Sequence, residues 1–250
     1  MLTCDPEPKE SKIHIKYEFN TETSPKIFYN KDDILVFDDV LSKIECDSII
    51  KFMDDKSNKI CINFNDLSET IEKRCSEYLP SSIYQYDEVL AKNHKHNNND
   101  QYWSYNHINP NWRLVKCNIN SKLTAHMDAS YVKSVDHKSI YTIIIYLKDS
   151  DGDLKFNPTL QFAPKCGRVV IFNQSLEHEG LANISEIKYY IRSELMFVRN
   201  ILIETENDLF AFEIYNQAKI YNNLDPIKSK LLEEEAFALS SLLERMILNI

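Results

Sequence analysis

The feature that most constrains the fold is a succession of short apolar runs between Trp112 and Arg199, separated by polar or Gly- and Pro-bearing turns. Many short strands with this punctuation favour a β-sandwich or barrel over alternating β and α units. Within this region Ile143, Ile144 and Ile145 are apolar at successive positions, so we expect that strand to be covered on both faces. Flanking helices would supply the second cover.

Two helices are predicted ahead of the strands, in a supporting segment over residues 42–80. Ser42 followed by Glu45 forms a capping box at the first helix start, and Asp66 with Glu69 repeats that spacing. The second helix is expected to end at Pro80. Residues 1–26 are polar and proline-bearing, which predicts a flexible N-terminal tail before a domain over residues 27–199.

Residues 200–250 are predicted to be an acidic, mainly helical extension. Asp225 and Pro226 have the character of an N-cap and a first helical residue, and the helix that they open is a possible dimer element. The oligomeric state does not follow from the sequence.

Charge and composition narrow the class of protein. The net charge is -9 and the pI is about 5.3, which argues against a nucleic acid or an anionic membrane as the main partner. The sequence shows neither a signal peptide nor an apolar run long enough to cross a membrane, and its six cysteines have no CxxC spacing. We therefore expect a cytoplasmic protein with reduced thiols.

The segment TAHMDASY contains the first candidate for chemistry. If it is a β-strand, His126 and Asp128 point to the same side while Met127 faces away. His178, 50 residues beyond Asp128, lies after a later strand and is the candidate third ligand. Two histidines and one carboxylate on one face of a metal are the ligands of non-haem Fe(II) oxygenases. A chance pair is the alternative, since the chain has seven histidines and many acids.

A basic strand, KYYIRSELMF, follows the distal histidine. Alternation places Lys188, Tyr190, Arg192 and Glu194 on one face. A cation inside a barrel is costly without an anionic partner. That partner is either a bound dicarboxylate or an internal acid, such as Glu194 paired with Arg192.

Three segments resemble one family, the 2-oxoglutarate- and Fe(II)-dependent dioxygenases, in particular their prolyl 4-hydroxylase-like branch. The resemblance covers roughly residues 27–199. It is carried by NPNWRLVKCNINSKLTAHMD, SIYTIIIYLKDSDGDLKF and PKCGRVVIFNQSLEHEG, with Lys188 at the offset of the lysine that binds 2-oxoglutarate in the family.

The resemblance implies a double-stranded β-helix (jelly-roll, cupin-like) core in a mainly β chain with flanking helices. It implies Fe(II) held by His126, Asp128 and His178, and 2-oxoglutarate as co-substrate with Lys188 or Arg192 as its anchor, Lys188 being favoured. Ascorbate is a further expected cofactor. Cys117 is a further candidate co-substrate contact, since it stands where the family often has a tyrosine that contacts the co-substrate, and DGDLKF replaces the family's usual Gly-rich turn.

The implied reaction uses O2 and 2-oxoglutarate to hydroxylate an unactivated carbon, with release of succinate and CO2. A protein or peptide residue is the expected substrate, with Tyr131 and Arg113 as candidate contacts, although Arg113 could instead pair with an acid beneath the barrel. A non-catalytic jelly-roll binding module is one alternative. A cupin-like metalloenzyme that does not use 2-oxoglutarate is another, and the inward-facing cations argue against it.

Overall fold

A computed structural model of the chain describes residues 23–54, 56, 58–85, 102–134, 136–199, 205–222 and 224–248. It is a mainly β structure in which two antiparallel sheets face each other and helices cover one outer surface. This is the predicted double-stranded β-helix core. The predicted tail falls largely in residues 1–22, which lie outside the described residues.

Within the described residues the larger sheet has ten strands: β1 (Lys26–Lys31), β2 (Ile34–Asp38), β3 (Lys59–Asn63), β4 (Ser82–Tyr84), β5 (Tyr102–Ile108), β6 (Asn111–Cys117), β8 (Val132–Ser134), β9 (His137–Tyr146), β12 (Val169–Asn173) and β14 (Lys188–Arg199). Neighbouring strands along its central path are β1, β2, β12, β9, β14, β5 and β4, with β6 beside β14, β3 beside β6, and β8 beside β9.

The smaller sheet contains the described strands β7 (Leu123–His126), β10 (Leu154–Asn157), β11 (Leu160–Phe162) and β13 (His178–Gly180). Their order across the sheet is β11, β10, β13 and β7. An apolar cluster that includes Ile144, Phe162 and Phe172 fills the space between the two sheets. The interior of the jelly roll is therefore mostly apolar, and its polar positions stand out.

Two helices cover the outer face of the larger sheet, α1 (Lys43–Asp54) and α2 (Asn65–Cys75). Ile143 and Ile145 lie in the cluster beneath them, whereas Ile144 faces the interior. The expectation that this strand is covered on both faces is confirmed. The strand β3, which lies between the two helices, was not predicted.

The capping box at Ser42 is present, with the Ser42 N–H donating to Glu45 Oε2 (2.7 Å) and the Glu45 N–H to Ser42 Oγ (3.3 Å). The second predicted box is wrong. Helix α2 begins at Asn65, its N-cap is Phe64 without a side-chain cap, and Asp66 lies in its first turn. The helix also ends earlier than predicted, at Cys75, and turns connect it to Pro80.

The C-terminal extension is mainly helical, as predicted, and its described residues form α3 (Glu206–Tyr221), α4 (Pro226–Leu239) and α5 (Ser241–Leu248). The helix predicted to start at Pro226 is thus divided into α4 and α5. Asp225 is the N-cap of α4 as predicted, and its side chain accepts from the Lys228 N–H. The three helices enclose an apolar cluster of their own around Phe212, Tyr215 and Leu243. None of the helices that the structure describes is long and apolar enough to span a membrane.

A buried ion pair joins the two covering helices. Arg74 Nη2 lies 2.8 Å from Glu45 Oε1, and both side chains are at most 5% exposed. Burial raises the pKa of Glu45, but hydrogen bonds from Arg74 and Ser42 outweigh that effect, so its pKa lies below the ordinary value. The carboxylate is thus kept charged by Arg74.

We expect Arg74→Met to lower the free energy of unfolding by about 3–5 kcal/mol, because it leaves the Glu45 carboxylate buried without its cation. Chemical denaturation followed by circular dichroism measures the change. Lys43→Met is the control, since Lys43 and Asp47 form an exposed pair on α1, and its cost should stay below about 1 kcal/mol. Equal effects of the two substitutions would contradict the assignment.

Candidate functional site

Three potential metal ligands converge at one end of the jelly roll. His126 is the last residue of β7 and His178 is the first of β13, and the two are directly paired across the smaller sheet. Asp128 lies beside both: its Oδ1 is 3.5 Å from His126 Nε2 and its Oδ2 is 3.8 Å from His178 Nε2. One ligand atom from each residue fits within 4.8 Å, and no other such group was found among the described residues.

Asp128 reaches this position in a way that the sequence did not predict. Strand β7 ends at His126, so His126 and Asp128 do not share one strand. The Asp128 N–H instead donates to the carbonyl of Gln174 (3.1 Å), which follows β12. The pair still faces one side, and Met127 points away with 64% of its surface exposed.

Hydrogen bonds fix the orientation of the two imidazoles. His126 Nδ1 lies 2.8 Å from the Thr124 carbonyl, and His178 Nδ1 lies 3.0 Å from the Leu176 carbonyl. A carbonyl only accepts, so each Nδ1 carries the proton and each Nε2 presents its lone pair toward Asp128. This is the arrangement in which histidine binds a metal.

The protein environment favours the neutral form of His178. Its ring lies against Phe172 (4.6 Å between ring centroids) and Phe156 (6.0 Å), and its side chain is only 4% exposed. Burial lowers the pKa of His178 below the ordinary value. A neutral imidazole keeps the lone pair that a metal ion requires.

Thr142 and Arg192 hold the Asp128 carboxylate from the larger sheet. Thr142 Oγ1 donates to Oδ2 (2.6 Å), and Arg192 Nη2 lies 2.9 Å from Oδ1. Asp128 is therefore oriented before any metal binds. Together with the two histidines it forms a compact donor set of two nitrogens and a carboxylate on one side of a central point. Such a set fits Fe(II).

The predicted inner face of β14 is present. Lys188, Arg192 and Glu194 alternate along the strand, and the register places Lys188 opposite Cys117 and Arg192 opposite Arg113. Glu194 accepts from Arg113 Nη1 (2.6 Å) and from Asn109 Nδ2 (3.1 Å). Arg113 therefore pairs with an internal acid, which is the alternative that the sequence left open for it. Arg192 pairs with Asp128 and not with Glu194.

Lys188 is in a different situation from the other interior cations. It is 6% exposed, and its Nζ donates to the carbonyl of Gly152 (2.9 Å). Among the described residues no carboxylate lies within ion-pair distance of it. Burial lowers its pKa, although Cys117, Asp153 and Asp151 oppose the shift. A buried ammonium without a paired carboxylate is stabilised by an anion that binds beside it.

The remaining candidates have less defined roles. Cys117 is half-buried beside Lys188, and burial raises the pKa of its thiol. Tyr131 is half-buried, and its backbone is held by Ser139, whose Oγ accepts from the Tyr131 N–H (2.7 Å).

The sequence interpretation did not single out Thr142 as a residue of the site. The available signal was a lone threonine within an otherwise apolar strand, IYTIIIY. A hydroxyl in such a strand must find a partner on one of the two buried faces.

Comparison with known proteins identifies the central segment. Residues 112–192 match the family model described as the 2OG-Fe(II) oxygenase superfamily. The matched segment contains the three potential metal ligands and extends through Cys117 and Lys188 to Arg192. A comparison with curated proteins found no match.

Several solved structures are similar to the chain. A viral collagen prolyl hydroxylase from Paramecium Bursaria Chlorella virus-1, as its 2OG complex, is 18% identical, with a TM-score of 0.46 over 68% of this chain and 97% of that one. A structure from Phytophthora capsici prolyl 4-hydroxylases is 15% identical, with a TM-score of 0.41 over 87% and 83%. HygX from Streptomyces hygroscopicus, with nickel and 2-oxoglutarate bound, is 13% identical, with a TM-score of 0.41 over 69% and 84%.

The segment over residues 112–192 is therefore similar to the 2OG-Fe(II) oxygenase superfamily. The predicted class, a dioxygenase that uses Fe(II) and 2-oxoglutarate, is confirmed at the level of this superfamily. The residues that would bind the metal and the co-substrate are inferred from the geometry of the site.

We expect Thr142→Val to weaken metal binding roughly ten- to a hundredfold, because Asp128 loses the hydrogen bond that orients it. Calorimetric titration of the metal-free protein with Ni(II) measures the affinity. Thr70→Val, which removes an exposed side-chain hydrogen bond on α2, is the matched control and should bind as the wild type does. Unchanged affinity in Thr142→Val would show that this hydroxyl does not orient a ligand.

Proposed function

We propose that this protein hydroxylates an unactivated carbon of a protein or peptide residue, with His126, Asp128 and His178 as the iron ligands. The observation that supports this most directly is the convergence of the three ligand atoms within 4.8 Å, with both Nδ1 atoms hydrogen-bonded to carbonyls and both Nε2 atoms directed toward Asp128. When bound, Fe(II) and 2-oxoglutarate supply the activation of O2 and the release of succinate and CO2.

The chain's own residues have three tasks in this proposal. The hydrogen bonds to Nδ1 hold both histidines in the tautomer that binds metal, and Thr142 holds the Asp128 carboxylate. Phe156 and Phe172 pack against His178 and keep water from that side of the centre. The centre is thus formed by a rigid framework, which lowers the cost of ordering it on binding.

Lys188 is the proposed anchor for the distal carboxylate of 2-oxoglutarate. It is a buried cation without an ion-paired carboxylate among the described residues, whereas Arg192 already contacts Asp128. An incoming carboxylate would therefore stabilise Lys188 more than Arg192. This agrees with the position of Lys188 in the family that the sequence resembles.

The substrate proposal rests on the open side of the centre. His126 and Arg192 keep 27% and 23% of their side-chain surface exposed, so the centre can be reached from the protein surface. A residue that projects from another polypeptide could approach from this side. Tyr131 lies three residues after Asp128, and we propose that it lines the path by which the substrate reaches the centre.

Ascorbate remains a predicted additional cofactor.

We expect anaerobic addition of Fe(II) and then 2-oxoglutarate to give the weak visible absorption of a metal chelate in the wild type and none in His126→Ala. The reason is that removal of His126 leaves two ligands for the metal. His107→Ala, on β5 and outside the triad, is the control and should keep the band. A wild type that binds Fe(II) stoichiometrically without the band would reject the use of 2-oxoglutarate, and a wild type that binds no metal would favour the binding module.

We expect Lys188→Met to weaken 2-oxoglutarate binding roughly ten- to a hundredfold and to leave Ni(II) affinity unchanged, because it removes a charge-assisted hydrogen bond remote from the metal. Titration of the chelate absorption gives the apparent Kd for 2-oxoglutarate. Lys148→Met, which breaks an exposed pair with Glu186, is the control. If instead Arg192→Met loses the affinity while Lys188→Met retains it, Arg192 is the anchor.

A further inference from the structure

We propose that the protein forms a dimer through the solvent-facing side of α4, with the two copies of this helix lying antiparallel across a two-fold axis. The surface belongs to the C-terminal extension, outside the segment that contains the potential metal ligands. The inference is therefore independent of the proposed function, and it names one occupant of the surface, a second copy of this chain.

An apolar strip runs along the side of α4 that faces solvent. Ile227 and Leu231 are one helical turn apart and are 77% and 60% exposed, and exposed Ala238 continues the same side. The opposite side is buried, because Ser229 Oγ donates to a carbonyl of α3 and Ala236 lies in the apolar cluster of the extension. A surface helix normally turns its polar side to solvent. The strip therefore has the character of a surface that a partner covers.

The spacing of the strip suits a second helix as that partner. Ile227, Leu231, Glu234 and Ala238 follow one another at intervals of four, three and four residues. This is the spacing of the seam along which two helices pack in a coiled coil. The seam is apolar except at Glu234, so the charges beside it decide which helix fits.

These charges are sorted along α4. Lys228 and Lys230 lie in its N-terminal half, Glu234 and Glu235 lie in its C-terminal half, and all four are exposed. Lys230 and Glu234 form a loose pair within the helix (3.9 Å) that is too exposed to contribute much. The helix dipole favours the reverse order, with acids near the N-terminus and bases near the C-terminus. The sorting therefore does not stabilise α4 as a single helix.

A second copy of α4 complements this pattern when it lies antiparallel. The lysine half of each helix then faces the glutamate half of the other at both ends of the contact, whereas a parallel copy would oppose like charges. A two-fold interface uses the same surface on both subunits, so it requires a surface that is complementary to itself. The strip with its sorted charges meets this requirement.

The length of the helix limits the strength of the dimer. Helix α4 has 14 residues, and a helix of this size is about 21 Å long. Such a contact is at the small end of specific interfaces, so we expect a dissociation constant that is roughly micromolar.

The first test measures the mass of the full-length protein by sedimentation equilibrium over a concentration series. Leu231→Glu places a charge in the middle of the strip and should raise the Kd of the dimer roughly a hundredfold. Leu209→Glu is the matched control, because Leu209 is 51% exposed on α3, and this variant should associate as the wild type does.

The second test exchanges the charges. Lys228→Glu with Lys230→Glu makes the flanks of the strip acidic, and Glu234→Lys with Glu235→Lys makes them basic. Each double variant should lose self-association, and an equimolar mixture of the two should recover it, since opposite charges then meet at both ends. The melting temperature at low concentration should be no lower than that of the wild type, because both exchanges follow the preference of the helix dipole.

Three results would overturn the inference. A wild type that is monomeric at every concentration would leave the strip to a different partner. A wild-type dimer that Leu231→Glu leaves intact would place the interface elsewhere on the molecule. Double variants that fold but stay monomeric when mixed would reject the antiparallel pairing of charges.

Discussion

The Asp128 carboxylate is the group on which the geometry of the centre depends. It lies beyond the end of β7, so no ladder of strand hydrogen bonds fixes it, and its position results from one backbone bond to Gln174 and side-chain bonds from Thr142 and Arg192. These partners follow or belong to three strands of the larger sheet, whereas the two histidines belong to the smaller sheet. The carboxylate therefore joins the two sheets at the end of the jelly roll.

The distribution of charge in the interior supports the proposed binding of a small dianion. Arg113 is matched by Glu194, and Arg192 is matched by Asp128, each at 2.9 Å or less. Lys188 has only a backbone carbonyl as a direct partner among the described residues. A bound metal ion would add positive charge beside Asp128. A dianion with one charged group at the metal and the other at Lys188 would balance the charge at both positions.

Much of the fold and the site was predictable because both follow from local patterns. Alternation along β14 correctly placed Lys188 and Arg192 on one face, and the spacing of His126, Asp128 and His178 selected three residues that converge. Asp66 shows the limit of such patterns. Its spacing to Glu69 satisfied the rule for a cap, but the chain enters α2 from β3, and the helix starts at Asn65.

Features that depend on distant partners were not predictable from one sequence. Thr142 on β9 contacts Asp128, which follows β7 of the other sheet. Arg192 pairs with Asp128 and not with Glu194, whose carboxylate is bonded by Arg113 and Asn109. The split of the C-terminal helix at Ser240 likewise follows from tertiary contacts, since its hydroxyl hydrogen-bonds to Asp208 on α3.

The first half of strand β14 separates two different environments, one on each of its faces. Its odd-numbered residues Tyr189 and Ile191 face the covering helices, and its even-numbered residues Lys188 and Arg192 face the interior. A shift of one residue would exchange the two sets, placing two cations under the helices and aliphatic side chains beside the metal ligands. The strand can therefore change by substitution at single positions, but a one-residue insertion or deletion in its first half would destroy the core and the site together.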